Sequence, residues 1–456
     1  MKYHLKSILK SKLTWTFFLI LLISNLYTTI NLEVLTESEA KKIVTHYRLS
    51  AMTIRDYLSS EKKFIDKQDL KDPNYINYIN NYFTYREWLA DNDDKRAEFY
   101  SNRKNLLDYN KFYGINIQEA MAEMNYNADP EEGRPFAEDV FKQELKEIRK
   151  KVELEKLPYN SHDLRFVNNT SESEQTTTYN AFKVFLNRYF ELILKDVKEL
   201  NMGTPSPWTL LIQKVSIEEF SAIMIPVICL IYSTALVMED KRSGSIKLVE
   251  MIPKKRKYVI LHYYSIILLA VLIILLFSFG IPMLILGLRH DFRGLNNPIF
   301  VYPKGFTSFN IYEHIDEWVT FSLGKYSGTS IITGYNFPFP SDELVFYPLW
   351  KVIILSLLPS AIKILFYTLL GLSVAMCLSK KTFAIVVSGL LSIVTIVSQV
   401  YLDKALFNPF SVPNGWDLAI CSTQFSWLRG VTVLSLSWII LLILTLFYNQ
   451  KRDFAD

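Results

Sequence analysis

Apolar and polar positions in this 456-residue chain are separated into long blocks. Six blocks are almost entirely apolar, and each approaches or exceeds the roughly 20 residues that a helix needs to cross a bilayer. The pattern therefore predicts six membrane spans. The first lies within residues 1–30, which also hold an inner-surface segment, and the others are predicted at 217–238, 258–288, 350–378, 382–402 and 431–448.

A long polar stretch, residues 31–214, separates the first two spans. It is rich in Glu, Lys, Asp, Asn and Tyr, and no apolar run in it reaches membrane length. Helical periodicity of apolar positions occurs at 37–61, 81–97, 135–157 and 181–200. Residues 129–133 and 168–178 have the composition of loops. The expected fold is an all-α membrane protein with a large, mostly helical extracytoplasmic domain at 31–214.

Charge predicts the orientation of the spans, because Lys and Arg are enriched in the cytoplasmic segments of membrane proteins. The segment 239–257, between the second and third spans, is strongly basic, and further cations lie near the amino terminus, at Lys380–Lys381 and at Lys451–Arg452. Both termini are then cytoplasmic, and 289–349 and 403–430 are outer loops. A cleaved signal peptide is the alternative for the first run. The run is long for one, however, and no Ala-x-Ala-like site follows it.

Composition narrows the possible chemistry. The three cysteines lack the spacing of a disulfide framework or a zinc site, and the six histidines are scattered. The chain has no glycine-rich phosphate-binding motif and no nucleophile elbow. It also has no basic tract interleaved with aromatic residues. We therefore expect no enzyme activity, no cofactor or metal in this chain and no nucleic-acid partner.

Three ionisable residues are candidates for the translocation path or an interface. Lys363 lies inside the fourth predicted span, where a mid-bilayer charge costs about 3 kcal/mol and marks a functional candidate. Its alternatives are snorkelling to the outer interface or pairing with a structural partner. Glu218 and Glu219 precede the second span. They either line its outer mouth or form a solvated first helical turn.

The basic loop 239–257 is the candidate docking element for a soluble partner. Glycine permits a sharp turn and proline stops a helix, so a short helix between Gly244 and Pro253 is predicted. The alternative is a solvated hairpin whose charges only set the topology. The residues that define the pattern are Glu239, Gly244, Ser245, Leu248, Pro253 and Arg256.

This pattern resembles the first cytoplasmic loop of ABC-2 type ABC transporter permeases. Those loops carry an acidic stretch, Gly-Thr, a Glu-Leu-Leu-like run, a proline and an arginine three residues later. The chain departs from it at Ser245, where threonine is usual, and at Lys247, where an acid is usual. The order of spans is similar too, and Asn408–Asp417 resembles the short outer helices of these permeases.

The resemblance implies a multi-pass permease subunit in a plasma membrane, here expected to be bacterial. Its partners would be a second permease copy or a paralogue, and a separate ABC ATP-binding subunit that uses ATP-Mg and docks on 239–257. The substrate would be an amphipathic peptide, a lipid or an antimicrobial compound that is exported. Movement of the loop is expected to tilt the second and third spans together. The alternative is a membrane-anchored receptor or immunity protein whose outer domain binds a ligand without transport.

The predicted orientation can be tested on intact cells with an amine reagent that does not cross the membrane. We expect Lys254 and its basic neighbours to stay unmodified until the cells are opened, while lysines of residues 31–214 react at once. Modification of the loop from the exterior would invert the orientation.

Overall fold

The computed structural model describes residues 11–65, 72–102, 106–154, 157–159, 172–197, 206–215, 220–243, 256–292, 294–301, 306, 345–401, 407–420 and 425–451. All statements about structure below concern these residues.

The first helix, α1, runs without a break from Lys12 to Ile65. Its 54 residues extend over about 80 Å at 1.5 Å per residue. The stretch of this helix that can cross a membrane is Lys12–Asn31, so the apolar span and the first polar segment share one helix. Polar residues at its centre do not end it, because Glu, Lys and Ala are strong helix formers and no proline interrupts the run.

Five further helices follow between residues 72 and 197. They are α2 (Pro73–Asn102), α3 (Leu106–Tyr126), α4 (Ala137–Val140), α5 (Lys142–Lys151) and α6 (Glu172–Leu194). The predicted helix at 135–157 is interrupted at Phe141 and ends early. The loop expected at 168–178 is corrected from Glu172 onwards, where α6 begins. There, Thr176 accepts a hydrogen bond from Arg134 Nη1 at 2.9 Å, so tertiary contact overrides the loop propensity of the Ser/Thr-rich sequence.

Residues 31–214, called the polar domain below, have hydrophobic cores of their own. Helix α1 packs along α2, and Ala51 and Leu58 are buried at their contact. A second core lies between α3 and α6, where Tyr113, Ile117 and Phe190 are almost fully buried. These two contacts give the domain the internal packing that its length allows.

Seven more helices follow α6, and the first of them lies at the end of the polar domain. They are α7 (Pro207–Val215), α8 (Phe220–Arg242), α9 (Arg256–His290), α10 (Leu349–Cys377), α11 (Lys381–Tyr401), α12 (Gly415–Ile420) and α13 (Trp427–Lys451). By length and apolar composition, the helical stretches in α1, α9, α10, α11 and α13 can cross a membrane. Helix α8 holds residues 220–238 of the remaining predicted span, 217–238, and this span stays a prediction.

Two short strands qualify the all-α description. Strand β1 (Pro298–Val301) pairs antiparallel with β2 (Val345–Pro348), and Pro298 lies opposite Pro348. Their side chains pack against the start of α10 and against α12. Both strands lie within residues 289–349, the segment expected as an outer loop, and β2 leads directly into α10.

At two prolines inside the apolar helices, the carbonyl that loses its N–H donor accepts a hydrogen bond from a side chain of another helix. Pro282 in α9 has no N–H for the carbonyl of Ser278, and Asn25 Nδ2 of α1 donates to that oxygen at 2.8 Å. Pro359 in α10 likewise frees the carbonyl of Leu355, which accepts the indole N–H of Trp427 at 3.0 Å. Because a bilayer core offers no water to a free carbonyl, these bonds stabilise the bundle.

Helix α8 lies at the centre of the membrane bundle, packed mainly against α10 and α11. Its backbone approaches α10 most closely at Gly371, where an added Cβ would collide with Ser233 Oγ and the carbonyl oxygen of Leu230. Thr234 Oγ1 donates to the Gly371 carbonyl at 3.0 Å and also bonds Ser388 Oγ of α11 at 2.8 Å. Small residues permit close backbone approach and interhelical hydrogen bonds, as expected for membrane helices.

This close approach predicts that Gly371→Ala destabilises the bundle by about 1–3 kcal/mol, because the new methyl group must displace backbone as well as a side chain. Thermal unfolding in detergent, followed by circular dichroism, measures the change. Gly389→Ala is the matched control, since nothing lies within 4 Å of its Cβ position. Equal unfolding temperatures for the two variants would contradict the packing described here.

Candidate functional site

The basic loop is shorter than its predicted limits of 239–257. Helix α8 continues to Arg242, and α9 begins at Arg256, so both ends of the predicted loop are helical. Glu239 is therefore an exposed residue in the last turns of α8, and its carbonyl accepts the N–H of Ser243 at 3.0 Å. The remaining predicted docking residues, Gly244, Ser245, Leu248 and Pro253, lie outside the described residues.

Lys241 joins the end of α8 to the end of α10. Its Nζ donates to the carbonyl oxygens of Ala375 at 2.6 Å, Met376 at 3.3 Å and Leu378 at 3.2 Å. These carbonyls lie at the carboxyl end of α10, where helix carbonyls lack partners and the dipole favours a cation. A lysine at the entrance to the basic loop therefore caps another membrane helix.

The packing around α8 shows which helices the second predicted span contacts; the joint movement of the second and third spans stays a prediction. Helix α8 has its extensive contacts with α10 and α11, whereas α9, the third span, packs mainly against α1. Tyr232 of α8 also bonds Thr14 of α1 through their hydroxyl groups at 2.9 Å. The end of α8 beside the loop is therefore packed against α10, whereas α9 is joined to the loop through the chain itself.

Lys363 does not snorkel to an interface. It lies at the midpoint of α10, its side chain is buried, and its Nζ donates to the carbonyl oxygen of Val412 at 3.0 Å. The buried carboxylate of Asp417 is near enough to attract it electrostatically. Lys363 therefore has a structural partner, which was one of the alternatives left open by the sequence.

Val412 belongs to an irregular turn, residues 407–414, that enters the bundle. Its Phe410 ring contacts Phe366 and Tyr367 of α10, with ring centroids 5.9 Å and 6.3 Å apart. A segment expected to be entirely an outer loop therefore reaches beyond the midpoint of α10. Non-helical backbone at such depth is tolerated only where protein surrounds it and satisfies its polar groups.

The turn satisfies much of its own backbone. Asn408 Oδ1 accepts the N–H of Phe410 at 3.0 Å, and Ser411 Oγ donates to the Asn408 carbonyl at 2.9 Å. Asn414 Oδ1 accepts the N–H of Asp417 at 3.0 Å and so caps the short helix α12. The Val412 carbonyl accepts its hydrogen bond from Lys363, which gives a lysine in the middle of an apolar helix a structural role.

Helix α12 is pressed against α10. A Cβ added at Gly415 would collide with Ser360 Oγ and with the carbonyl oxygen of Ser356, so only glycine fits there. Arg429, in the first turn of α13, is fully buried, and its guanidinium lies 4.0 Å from the centroid of the Phe425 ring. Three charged side chains, Lys363, Asp417 and Arg429, are thus buried around the turn and α12.

Glu218 and Glu219, the other two candidates for a translocation path, lie outside the described residues. In the described part of the chain, no cluster of three or more His, Cys, Asp or Glu side chains could hold a metal ion.

The polar domain contains a buried carboxyl group, that of Glu123, enclosed by aromatic side chains. The Tyr85 hydroxyl of α2 donates to Glu123 of α3, and Trp88 and Tyr159 pack against Tyr85. Burial is the chief cause that raises the pKa of Glu123 to about 7. The charge of Glu119 raises it further, and the bond from Tyr85 opposes the shift. These rings pack on one another, so the cluster has the character of a domain core.

Comparison with known proteins identifies the family. The family model described as "ABC-2 family transporter protein" matches residues 1–452. The chain belongs to the ABC-2 transporter family. No curated protein and no solved structure gave a match. The chain is therefore a membrane transport component, an ABC-2 permease. The basic loop and Lys363 are features of this permease.

Sequence reasoning missed three residues of this permease: Lys241, which contacts the end of α10, and Asp417 and Arg429, which are buried near the turn. Lys241 was counted only as one of the loop cations, and Asp417 and Arg429 were included in or beside a presumed outer loop. A signal for Asp417 and Arg429 is present, because each lies in an otherwise apolar stretch. Lys241 has no such signal, since its partners are backbone carbonyls more than 130 residues away.

The raised pKa of Glu123 predicts a pH-dependent stability of the α2–α3 contact. Between the ordinary carboxyl pKa of 4.5 and about 7, the folded state binds more protons than the unfolded state. Stability is then greatest below pH 4.5 and decreases as pH rises to about 7. We expect a loss of about 3 kcal/mol, seen as reduced hydrogen-exchange protection of residues 106–126 in the full-length protein.

Glu123→Gln should remove this dependence after correction for intrinsic exchange rates. Glu147→Gln is the control, because Glu147 is exposed and its pKa is lowered by the hydrogen bond from Lys150. If hydrogen-exchange protection in Glu123→Gln depends on pH as in the parental protein, another group causes the effect.

Proposed function

We propose that this ABC-2 permease subunit exports an amphipathic peptide, lipid or antimicrobial compound, powered by a separate ATP-binding subunit that docks on residues 239–257. Family membership over residues 1–452 is the observation that carries the proposal. The chain itself has no nucleotide-binding motif, so the energy for uphill transport has to come from a partner. ATP-Mg would bind in that partner, and a second permease copy or a paralogue would complete the assembly.

The contacts of α8 support a route by which movement of the docking loop would pass to α10. The docking loop follows the end of α8 directly, and Lys241 connects this end to the carboxyl end of α10. Two turns away, Thr234 bonds α8 to α10 and α11. A partner that pushes the loop would therefore move α8 and α10 as one packed unit. Rigid-body movement of packed helices is an established form of switching.

The buried charges fit an amphipathic substrate better than a purely apolar one. Lys363, Asp417 and Arg429 lie in the bundle around a turn that already needs polar partners. A permease that exposes this region during transport would offer charges and hydrogen-bond donors beside apolar helix faces. Such a surface matches a molecule with both polar and apolar parts.

A receptor or immunity protein that binds a ligand through residues 31–214 is the second candidate, favoured by one observation: the domain has hydrophobic cores of its own. The two functions differ at the basic loop, because only the transporter needs an ATPase bound there.

Purification in mild detergent from the native host tests the proposal. We expect an ATP-binding-cassette subunit to co-purify, and Gly244→Ala or Pro253→Ala to reduce the co-purified amount about tenfold, which corresponds to about 1.4 kcal/mol of binding free energy. Gly280→Ala is the control, because nothing lies within 4 Å of its Cβ position and it is far from the loop in sequence. Absence of an ATPase, together with parental behaviour of the loop variants, would favour the receptor.

A further inference from the structure

Helix α10 is held at two places by lysine side chains that bond to backbone carbonyls. At its carboxyl end, Lys241 of α8 donates to Ala375, Met376 and Leu378. At its midpoint, its own Lys363 donates to Val412 of the turn 407–414. Both lysines bridge different elements of the bundle, and both bonds end on backbone rather than on a side chain.

Each bond is difficult to replace. The carbonyls at the end of α10 have no helical donor, and a buried carbonyl without a donor costs about 1–3 kcal/mol. Val412 is fully buried, so water does not replace Lys363 there. The turn and α12 are also fixed to α10 by Gly415, whose Cα lies too close to Ser356 and Ser360 for any side chain. A shift of α10 must therefore carry the turn along or break the Lys363 bond.

We propose that α10 transmits movement of the loop-proximal end of α8 to the turn 407–414, with Lys241 and Lys363 as the two positioning residues. The turn is then the element that opens or closes the bundle at the depth of Phe366. This inference rests on the proposed function, in which a partner moves the loop beside α8. The contacts that couple α8, α10 and the turn lie within the permease itself.

Cysteine accessibility measures the coupling without any ATPase. Cys229, Cys377 and Cys421 are first replaced by alanine, and Val412→Cys then reports on the turn, since its side chain is buried and its carbonyl is retained. The protein is reconstituted in lipid nanodiscs, and its rate of reaction with a maleimide is recorded. Lys363→Met should increase this rate about fivefold, a size typical of coupling between sites. Lys363→Gln keeps an N–H donor and should increase it less.

The decisive variant is Lys241→Met, which removes the bonds at the far end of α10. We expect it to increase labelling at Val412→Cys about fivefold as well, although Lys241 does not contact the turn. Arg242→Met is the matched control, because Arg242 is the adjacent, exposed cation, and it should leave the rate unchanged. Ala51→Cys, buried in the polar domain, is a second reporter that should keep its parental rate in each variant.

The outcomes separate the alternatives. Faster labelling at position 412 in Lys241→Met, with unchanged labelling at position 51, supports transmission through α10. A parental rate at position 412 in Lys241→Met overturns it, even if Lys363→Met fails to fold. Faster labelling at both positions means general unfolding and also overturns it. Failure of the proposed function is detected separately, by the absence of a co-purified ATPase.

Discussion

The hydrogen bond from Lys363 to the Val412 carbonyl is the contact around which the membrane bundle is arranged. An irregular turn enters the bundle to the midpoint of α10, where backbone groups have no water to bond. Buried donors and acceptors must then be satisfied by protein, and a lysine in the middle of an apolar helix meets that need. The same requirement explains Asn25 opposite Pro282 and Trp427 opposite Pro359, since each donates to a carbonyl freed by a proline.

The side chains that donate to backbone carbonyls also connect the elements that we expect a transporter to move together. Lys241 bonds the end of α8 to the end of α10, and Lys363 bonds α10 to the turn 407–414. Gly371 and Gly415 allow backbone contact along the same helix, one towards α8 and the other towards α12. Helix α10 is consequently the shared neighbour of the loop-proximal helix and the turn. This arrangement links the end of α8 beside the basic loop to the interior of the bundle.

The polar domain and the membrane bundle are joined by one continuous helix. Helix α1 packs against α9 in its apolar part and against α2 in its polar part. Exposed ion pairs between Arg55 and Asp91 and between Lys62 and Glu87 accompany the apolar contact with α2. Surface pairs of this kind contribute little to stability, so the buried contacts at Ala51 and Leu58 dominate there.

The sequence by itself determined the helical class, the approximate limits of the apolar helices and, through the basic loop, the resemblance to ABC-2 permeases. These features are local or periodic, so composition and spacing reveal them. Only the tertiary structure decided that α8 packs with α10 rather than with α9, that residues 407–414 enter the bundle, and that Lys363 is buried. It also decided that α6 begins within a Ser/Thr-rich stretch. Each depends on a partner distant in the chain, such as Val412 for Lys363 or Arg134 for Thr176, and a single sequence does not encode that pairing as a local pattern.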